Sequence, residues 1–165
     1  MGKVVSLEEL ILQRRQWKGN GQRFVFVAGC FDLLHPGHIR LLEQARDCGD
    51  ILAVGVLSDA SVATPSVVTG AHGVVKRPIT PASERREILA ALSMVDFAFE
   101  LSGSALPDVI TRLNPDVIVE GAEPSPSGSA VSEAARQAGV EVVRIPLEPG
   151  HSTSLLIERI AQLHA

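Results

Sequence analysis

The sequence predicts an α/β fold in which helices cover both faces of a doubly wound, five-stranded parallel sheet. Apolar runs and helix-period segments alternate along the whole chain, as in an open parallel sheet with helical crossovers. The runs are almost continuously apolar, which is typical of strands buried on both faces. The 165 residues, 45% of them hydrophobic, are enough for one domain with its own core.

The first helix is expected at residues 6–17, because Ser6 is a suitable N-cap and Glu9 stands three residues later, the spacing of a capping box. A polar turn follows, and the first core strand then runs from Arg23 to Ala28. We therefore predict a single domain over 1–165, with its core at residues 22–163.

The later elements follow from the same alternation. Four more apolar runs predict strands at Asp50–Val56, Val95–Phe99, Asp116–Val119 and Val140–Ile145. Helix-period segments lie at Gly37–Cys48, Pro81–Ser93, Leu106–Leu113, Ser129–Ala138 and Thr153–Leu163. The connection at 58–80 is long and rich in Ser, Thr, Gly and Pro, so we expect a functional loop there on a Rossmann-like core. The composition of the second connection, 123–129, predicts a mobile loop.

The net charge and the cysteine content argue against several classes of function. The formal net charge is −4 and no run of Lys or Arg could follow a nucleic-acid backbone, so a small-molecule partner is favoured. No apolar stretch approaches the ~20 residues of a membrane span, and a cytoplasmic protein is expected. Cys30 and Cys48 are too few for a disulfide framework or a four-ligand zinc site, and we expect no metal site in the chain itself.

The loop after the first strand is the first candidate site, because open parallel sheets bind ligands beyond the carboxyl ends of their strands. His35 and His38 flank the start of a helix there, with Pro36 and Gly37 at its entry. A helix N-terminus with two imidazoles suits an anion such as phosphate. The pair could also be a polar cap or could ligate a metal, although no third ligand stands nearby.

A second candidate lies at the last helix, where Ser152, Thr153 and Ser154 follow Gly150-His151. No Glu or Gln stands three residues after any of them, so no capping box closes this helix start. The N–H groups and hydroxyls are then available to phosphate, while a plain Ser/Thr N-cap is the alternative.

Cations for a phosphate ligand must be local in a chain of net negative charge. Lys76 and Arg77 in the long loop, and Arg85 one turn into the next helix, are the best candidates. An exposed Lys-Arg pair is otherwise an ordinary surface feature.

Together these residues resemble a known family. The segment 29–38, Gly-Cys-Phe-Asp-Leu-Leu-His-Pro-Gly-His, resembles the signature of the HxGH nucleotidyltransferase superfamily. Residues 3–10, Arg77-Pro78-Ile79, Arg85 and the Gly-His-Ser-Thr-Ser at 150–154 resemble the D-glycero-beta-D-manno-heptose 1-phosphate adenylyltransferase family.

The resemblance implies transfer of a nucleoside monophosphate from a nucleoside triphosphate to a phosphorylated sugar, with pyrophosphate released; ATP and heptose 1-phosphate are the expected pair. Mg²⁺ would accompany the triphosphate, and a homodimer is expected. The implied catalytic residues are His35, His38 and Lys76. The implied nucleotide-binding residues are Gly29, Cys30, Phe31, Gly37, Arg77, Arg85, Gly121, Ser152, Thr153 and Ser154. Asp32 and Glu120 would bind the substrate.

The chain departs from the family pattern at several positions. Ala28 and Leu57 replace expected Asn residues, and Glu120 replaces a Lys, which puts a like charge near phosphates. A cytidylyltransferase for glycerol 3-phosphate, another polyol phosphate or a phosphonate therefore stays open, as does a nucleotide-binding domain without turnover. A dinucleotide-dependent dehydrogenase is disfavoured, since the Gly-rich fingerprint after the first strand is missing.

Overall fold

The computed structural model describes residues 1–63, 76–121, 126–146 and 150–163, and they form a parallel sheet between helices. The strands are β1 Lys3–Val4, β2 Phe24–Gly29, β3 Ile51–Leu57, β4 Phe97–Leu101, β5 Val117–Gly121 and β6 Glu141–Ile145. The helices are α1 Leu7–Gly19, α2 Pro36–Arg46, α3 Asp59–Val62, α4 Ala82–Ala91, α5 Leu106–Leu113, α6 Pro126–Ala138 and α7 Thr153–Gln162, with a 3₁₀ turn at Gly103–Ala105. None of these helices is long and apolar enough to span a bilayer.

The sheet has six strands in the order β1-β4-β3-β2-β5-β6, and every described pairing is parallel. The prediction of a parallel α/β sheet is confirmed, and the prediction of five strands is wrong. The missed strand is β1, whose two residues pair with Phe97 and Ala98 of β4. Two residues give no readable alternation, since strand patterns need about four residues or more.

The core lies on both faces of the sheet, as the sequence predicts for a doubly wound fold. On one face, Phe24 and Phe26 of β2 pack in a cluster with α1, α5 and α6. On the other, Val25 and Val27 pack in a cluster with α2 and α4. Successive residues of a strand point to opposite faces, so the continuous apolar run feeds both clusters.

The helix ends differ from the sequence prediction by a few residues. Ser6 accepts a hydrogen bond from the N–H of Glu9, and the Glu9 carboxylate accepts one from the N–H of Ser6, so the predicted capping box is present. The helix α6 begins at Pro126 rather than at 129, because a proline fits the first turn, where its missing N–H has no helical partner. The rest of the predicted loop, 123–125, and most of the 58–80 loop, 64–75, lie outside the described residues.

Candidate active site

The site lies where the direction of strand connection reverses. From β2 the chain crosses to β3 on one side, and β5 returns to pair with β2 on the other, with Val27 opposite Val119. Open α/β sheets bind ligands in the crevice at such a switch point. Gly29 ends β2 and Gly121 ends β5, so these two predicted residues lie at this edge.

His35 and His38 lie together at the start of α2. His35 is the N-cap residue but its side chain makes no capping hydrogen bond, so the polar-cap interpretation of this ring is wrong. The two imidazoles stack with ring centroids 3.7 Å apart and an angle of 24° between planes. Nδ1 of each ring is buried without a hydrogen-bond partner in the described part of the chain.

Phe31 packs against His38, one member of the histidine pair. Its backbone is left-handed, with φ of 50°, and its ring is 4% exposed and lies 5.2 Å from the His38 ring. Gly29 makes room for this ring, because a Cβ on Gly29 would lie 2.8 Å from Cε2 of Phe31. A non-glycine residue at positive φ is uncommon and occurs at functional turns.

The C-terminal motif, residues 150–154, places His151 beside the histidine pair. The ring of His151 is nearly parallel to that of His35, with centroids 6.5 Å apart. A Cβ on Gly37 would lie 3.1 Å from Nδ1 of His35 and 3.4 Å from Cβ of His151, so only glycine fits between the two rings without displacement. The starts of α2 and α7 therefore converge on one site, as the two sequence motifs predict for a shared phosphate.

Both histidines of the pair are held neutral. Burial lowers the pKa of His38 to about 4, and the nearby His35 and Arg77 add to the effect. Burial, and then the charge of His151, lower the pKa of His35. A bound anion would oppose these shifts, since an opposite charge favours the protonated imidazole. Burial also raises the pKa of the Cys30 thiol, which argues against a thiolate nucleophile there.

The segment 76–80 is fastened to the loop between β2 and α2. Asp32 accepts hydrogen bonds from Nε of Arg77 at 3.1 Å and from the N–H groups of Ile79 and Thr80 at 2.8 and 2.9 Å. The guanidinium of Arg77 also lies 3.6 Å from Sγ of Cys30. Lys76, the predicted catalytic lysine, is exposed beside it.

Arg85 is enclosed rather than directed at a ligand, with only 1% exposure. Its guanidinium donates to the carbonyl oxygens of Thr80, Cys30 and Leu57 and to Oδ1 of Asp59, over 2.5–2.9 Å. Four of its five N–H donors are thus used internally. Arg85 therefore ties together the ends of β2 and β3, and only one N–H donor, on Nη2, is left for the predicted nucleotide contact.

Glu120 lies on the other side of the switch point and is the last residue but one of β5. One carboxylate oxygen accepts from the Ser132 hydroxyl at 3.1 Å and lies 3.7 Å from Nε of Arg144. The other, Oε1, is buried without a partner. A buried acceptor without a donor is costly, so this oxygen fits a donor on a ligand.

The three residues at the start of α7 have different environments. The Ser152 hydroxyl accepts from the N–H of Leu155 at 3.2 Å, so Ser152 is the N-cap of the helix. Thr153 is 9% exposed and Ser154 is exposed. The plain N-cap interpretation is correct for Ser152, and its hydroxyl proton remains available to a phosphate oxygen.

No group of three or more His, Cys, Asp or Glu side chains in the described part of the chain could hold a metal ion. Beside the histidine pair, a cavity of about 410 Å³ is lined by Leu34, His35, Pro36, Ile39, Arg40 and Glu43.

Sequence reasoning missed two contributors. His151 was recognised only as part of a motif, although a histidine directly before a Ser-Thr-Ser helix start is itself a signal for anion binding. Asp59, which pairs with Arg85 at 2.6 Å, gave no signal, because an acidic residue after a strand is common on protein surfaces.

The doubly wound sheet carries a His-Pro-Gly-His helix start at its switch point, the arrangement that the sequence resemblance predicts. The chain belongs to the Cytidylyltransferase-like family, whose model matches residues 26–159. The structure of a lipopolysaccharide core biosynthesis protein from Thermoplasma volcanium is similar, with 26% identity and a TM-score of 0.65 over 78% of this chain and 99% of that one. Pantothenate synthetase from Thermus thermophilus, at 19% identity and a TM-score of 0.59 over 87% of this chain and 61% of that one, shares the fold.

Curated relatives match almost the whole chain. Bifunctional protein HldE of Hyphomonas neptunium is 38% identical over 94% of this chain, and that of Koribacter versatilis is 40% identical over 95%. In both cases the match covers 31% of the relative. The chain thus spans about a third of the length of these relatives.

Proposed function

We propose that this chain transfers an adenylyl group from ATP to heptose 1-phosphate, forming ADP-heptose and pyrophosphate. The observation that carries the proposal is the convergence of His35, His38 and His151 with the N-termini of α2 and α7 at the switch point. The similarity to HldE and to a lipopolysaccharide core biosynthesis protein favours a sugar phosphate as the acceptor.

The chemistry needs no strong base, because the attacking acceptor phosphate is already ionised at neutral pH. One of its oxygens forms a bond to the α-phosphorus of ATP, and the bond from that phosphorus to the β-phosphate oxygen breaks. The electron pair leaves with pyrophosphate. Catalysis then depends on position and on stabilising charge on the transferring and leaving groups.

The residues supply this stabilisation. Nε2 of His35 and His38 would donate to phosphate oxygens, the neutral rings becoming charged as the anion binds. Arg77, whose charge is close enough to His38 to lower the pKa of that ring, and its neighbour Lys76 would add positive charge. Mg²⁺ would enter as the MgATP complex, held by phosphate oxygens and water as this ion prefers. Glu120 would accept a hydrogen bond from the acceptor or the nucleotide.

A second candidate is cytidylyl transfer to glycerol 3-phosphate, another polyol phosphate or a phosphonate. The family's description and the carboxylate at Glu120, where the heptose family pattern has Lys, favour keeping this candidate. We further propose a cytoplasmic homodimer. Exposed apolar side chains on and just after α7 favour association, at Leu155, Ile160 and Leu163.

Pyrophosphate release with ATP or CTP, each combined with a panel of sugar and polyol phosphates, tests the proposal. We expect the highest kcat/KM with ATP and heptose 1-phosphate, and a loss of about a hundredfold or more in His38→Ala, since one lost donor to the transition state costs that much. Release with CTP and a polyol phosphate alone would favour the second candidate. No release from folded protein with any pair would refute nucleotidyl transfer.

A further inference from the structure

The carboxylate of Asp32 is enclosed by the protein's own donors. Its side chain is 0% exposed, and its three hydrogen bonds within the described residues come from the segment 77–80. Two come from successive main-chain N–H groups and one from Arg77. A carboxylate without exposed surface is not placed to touch a substrate, and charge-assisted bonds of this kind are strong.

Arg77 donates through Nε to Asp32 and through Nη2, over 3.6 Å, to Sγ of Cys30, and its side chain stays partly exposed, at 16%. The guanidinium is planar, so fixing Nε also fixes the directions of the four outer N–H bonds. Its charge is close enough to His38 to help lower that pKa.

We propose that Asp32 is a positioning residue, which fixes Arg77 beside the histidine pair so that its outer nitrogens meet the triphosphate in one orientation. This rests on the nucleotidyl transfer proposed above and replaces the substrate-binding role predicted for Asp32. A donor fixed before the reaction begins stabilises developing charge without reorganisation. The main-chain bonds from Ile79 and Thr80 to Asp32 hold the segment that carries Lys76 and Arg77 against the loop between β2 and α2.

The variants Asp32→Asn and Arg77→Lys, singly and combined, test this coupling. The amide of Asp32→Asn keeps Oδ1 as the acceptor for both main-chain N–H groups, but it places an NH₂ group where Oδ2 accepts from Arg77, and so releases Arg77. The ammonium of Arg77→Lys can meet the carboxylate or the ligand, but not both. We expect each single variant to lower kcat by roughly tenfold to a hundredfold. We expect the double variant to fall little further, because the two residues act as one unit.

Asp116→Asn is the matched control. Asp116 also accepts a main-chain bond, from Phe24 at 2.7 Å, and pairs with an arginine, Arg14, at 3.0 Å, but at the opposite end of the sheet. A purely structural effect would lower the thermal midpoint in both Asp variants. Only Asp32→Asn is expected to change kcat.

NMR titration of His38 provides a readout that does not need turnover. Releasing Arg77 moves a positive charge away from the ring, so we expect the pKa of His38 to rise in Asp32→Asn and to stay unchanged in Asp116→Asn. If the parent shows no turnover, the proposed nucleotidyl transfer is refuted. The titration of His38 still tests whether Asp32 positions Arg77. If Asp32→Asn does not fold, Arg77→Lys decides alone. An unchanged kcat and His38 pKa in the folded variants, or additive losses in the double variant, would overturn the proposal.

Discussion

His38 shows how a single residue prepares an anion site. Its ring stacks on His35 and lies against Phe31 at a tilt, and with a pKa of about 4 it is neutral at pH 7. Two imidazolium rings at 3.7 Å would repel each other strongly. A triphosphate removes that obstacle, since its charge favours protonation of the rings it contacts.

The low pKa of His38 predicts a pH dependence of stability. The folded value of about 4 lies below the ordinary value of 6.5, so between these values the folded chain binds fewer protons than the unfolded chain. The free energy of unfolding therefore falls as the pH is lowered from about 6.5 to about 4, by up to roughly 3 kcal/mol from this residue.

Urea midpoints at several pH values measure the effect in the parent and in His38→Ala. The slope with pH should be smaller in the variant, whatever its stability at pH 7. Parallel curves for the two proteins would show that His38 is not the group responsible.

Glu120 leads to a prediction about the acceptor. If the unpaired Oε1 receives a hydrogen bond from the acceptor, Glu120→Gln should raise the KM for the acceptor by roughly tenfold and leave the KM for ATP unchanged.

Glu141→Gln is the control for this substitution, since Glu141 is an exposed carboxylate on β6 that bonds Arg23 at 2.5 Å. Equal acceptor KM values in the parent and Glu120→Gln would remove Glu120 from the acceptor site, and a rise in the KM for ATP instead would place it at the nucleotide.

Helix starts are the elements that carry the site. The starts of α2 and α7 come from segments far apart in the chain, and Gly37 lets the side chains of His35 and His151 approach. Unpaired N–H groups and positive partial charge at both starts favour a phosphate between them.

Ser6 and Ser152 are both N-cap residues, so a comparison of their variants distinguishes helix capping from ligand binding. Ser6→Ala and Ser152→Ala each remove an N-cap hydroxyl, so each should lower the free energy of unfolding by about 1 kcal/mol. Only Ser152→Ala should also weaken ATP binding, by calorimetry, because only α7 begins at the site. If both variants bind ATP as the parent does, Ser152 is a cap and nothing more.

The elements were largely predictable because local patterns specify them. The strand now labelled β2 and the capping box of α1 were found from apolar continuity and residue spacing within ten residues. By contrast, β1 has two residues and exists only because β4 offers it an edge. Its pairing is a tertiary contact that no local pattern encodes.

The candidate site also has one part that local sequence predicts and another that depends on contacts between residues distant in the chain. The His-Pro-Gly-His start is contiguous, and sequence reasoning found it. The bonds from Ile79 and Thr80 to Asp32 join residues 47 and 48 apart, and the enclosure of Arg85 depends on Leu57 and Asp59. Charged residues of this kind look like ligand contacts in the sequence until the fold shows which of their donors are already used.

At the scale of the whole molecule, a net charge of −4 is compatible with a polyanionic ligand because the relevant groups are local. Helix starts, three histidines and the Lys76–Arg77 pair gather at one edge of the sheet. The chain spans about a third of its HldE relatives, which catalyse more than one step according to their name. The transfer proposed here is a single step for which one sheet and its loops suffice.

The phosphorus NMR spectrum of the product tests this account most directly. With the protein, MgATP and heptose 1-phosphate, we expect pyrophosphate and two coupled resonances of a diphosphate that joins adenosine to the sugar. His38→Ala should give neither at a comparable rate. Formation of ADP or AMP without the coupled pair, or an unchanged ATP spectrum from protein that binds the nucleotide, would contradict nucleotidyl transfer at this site.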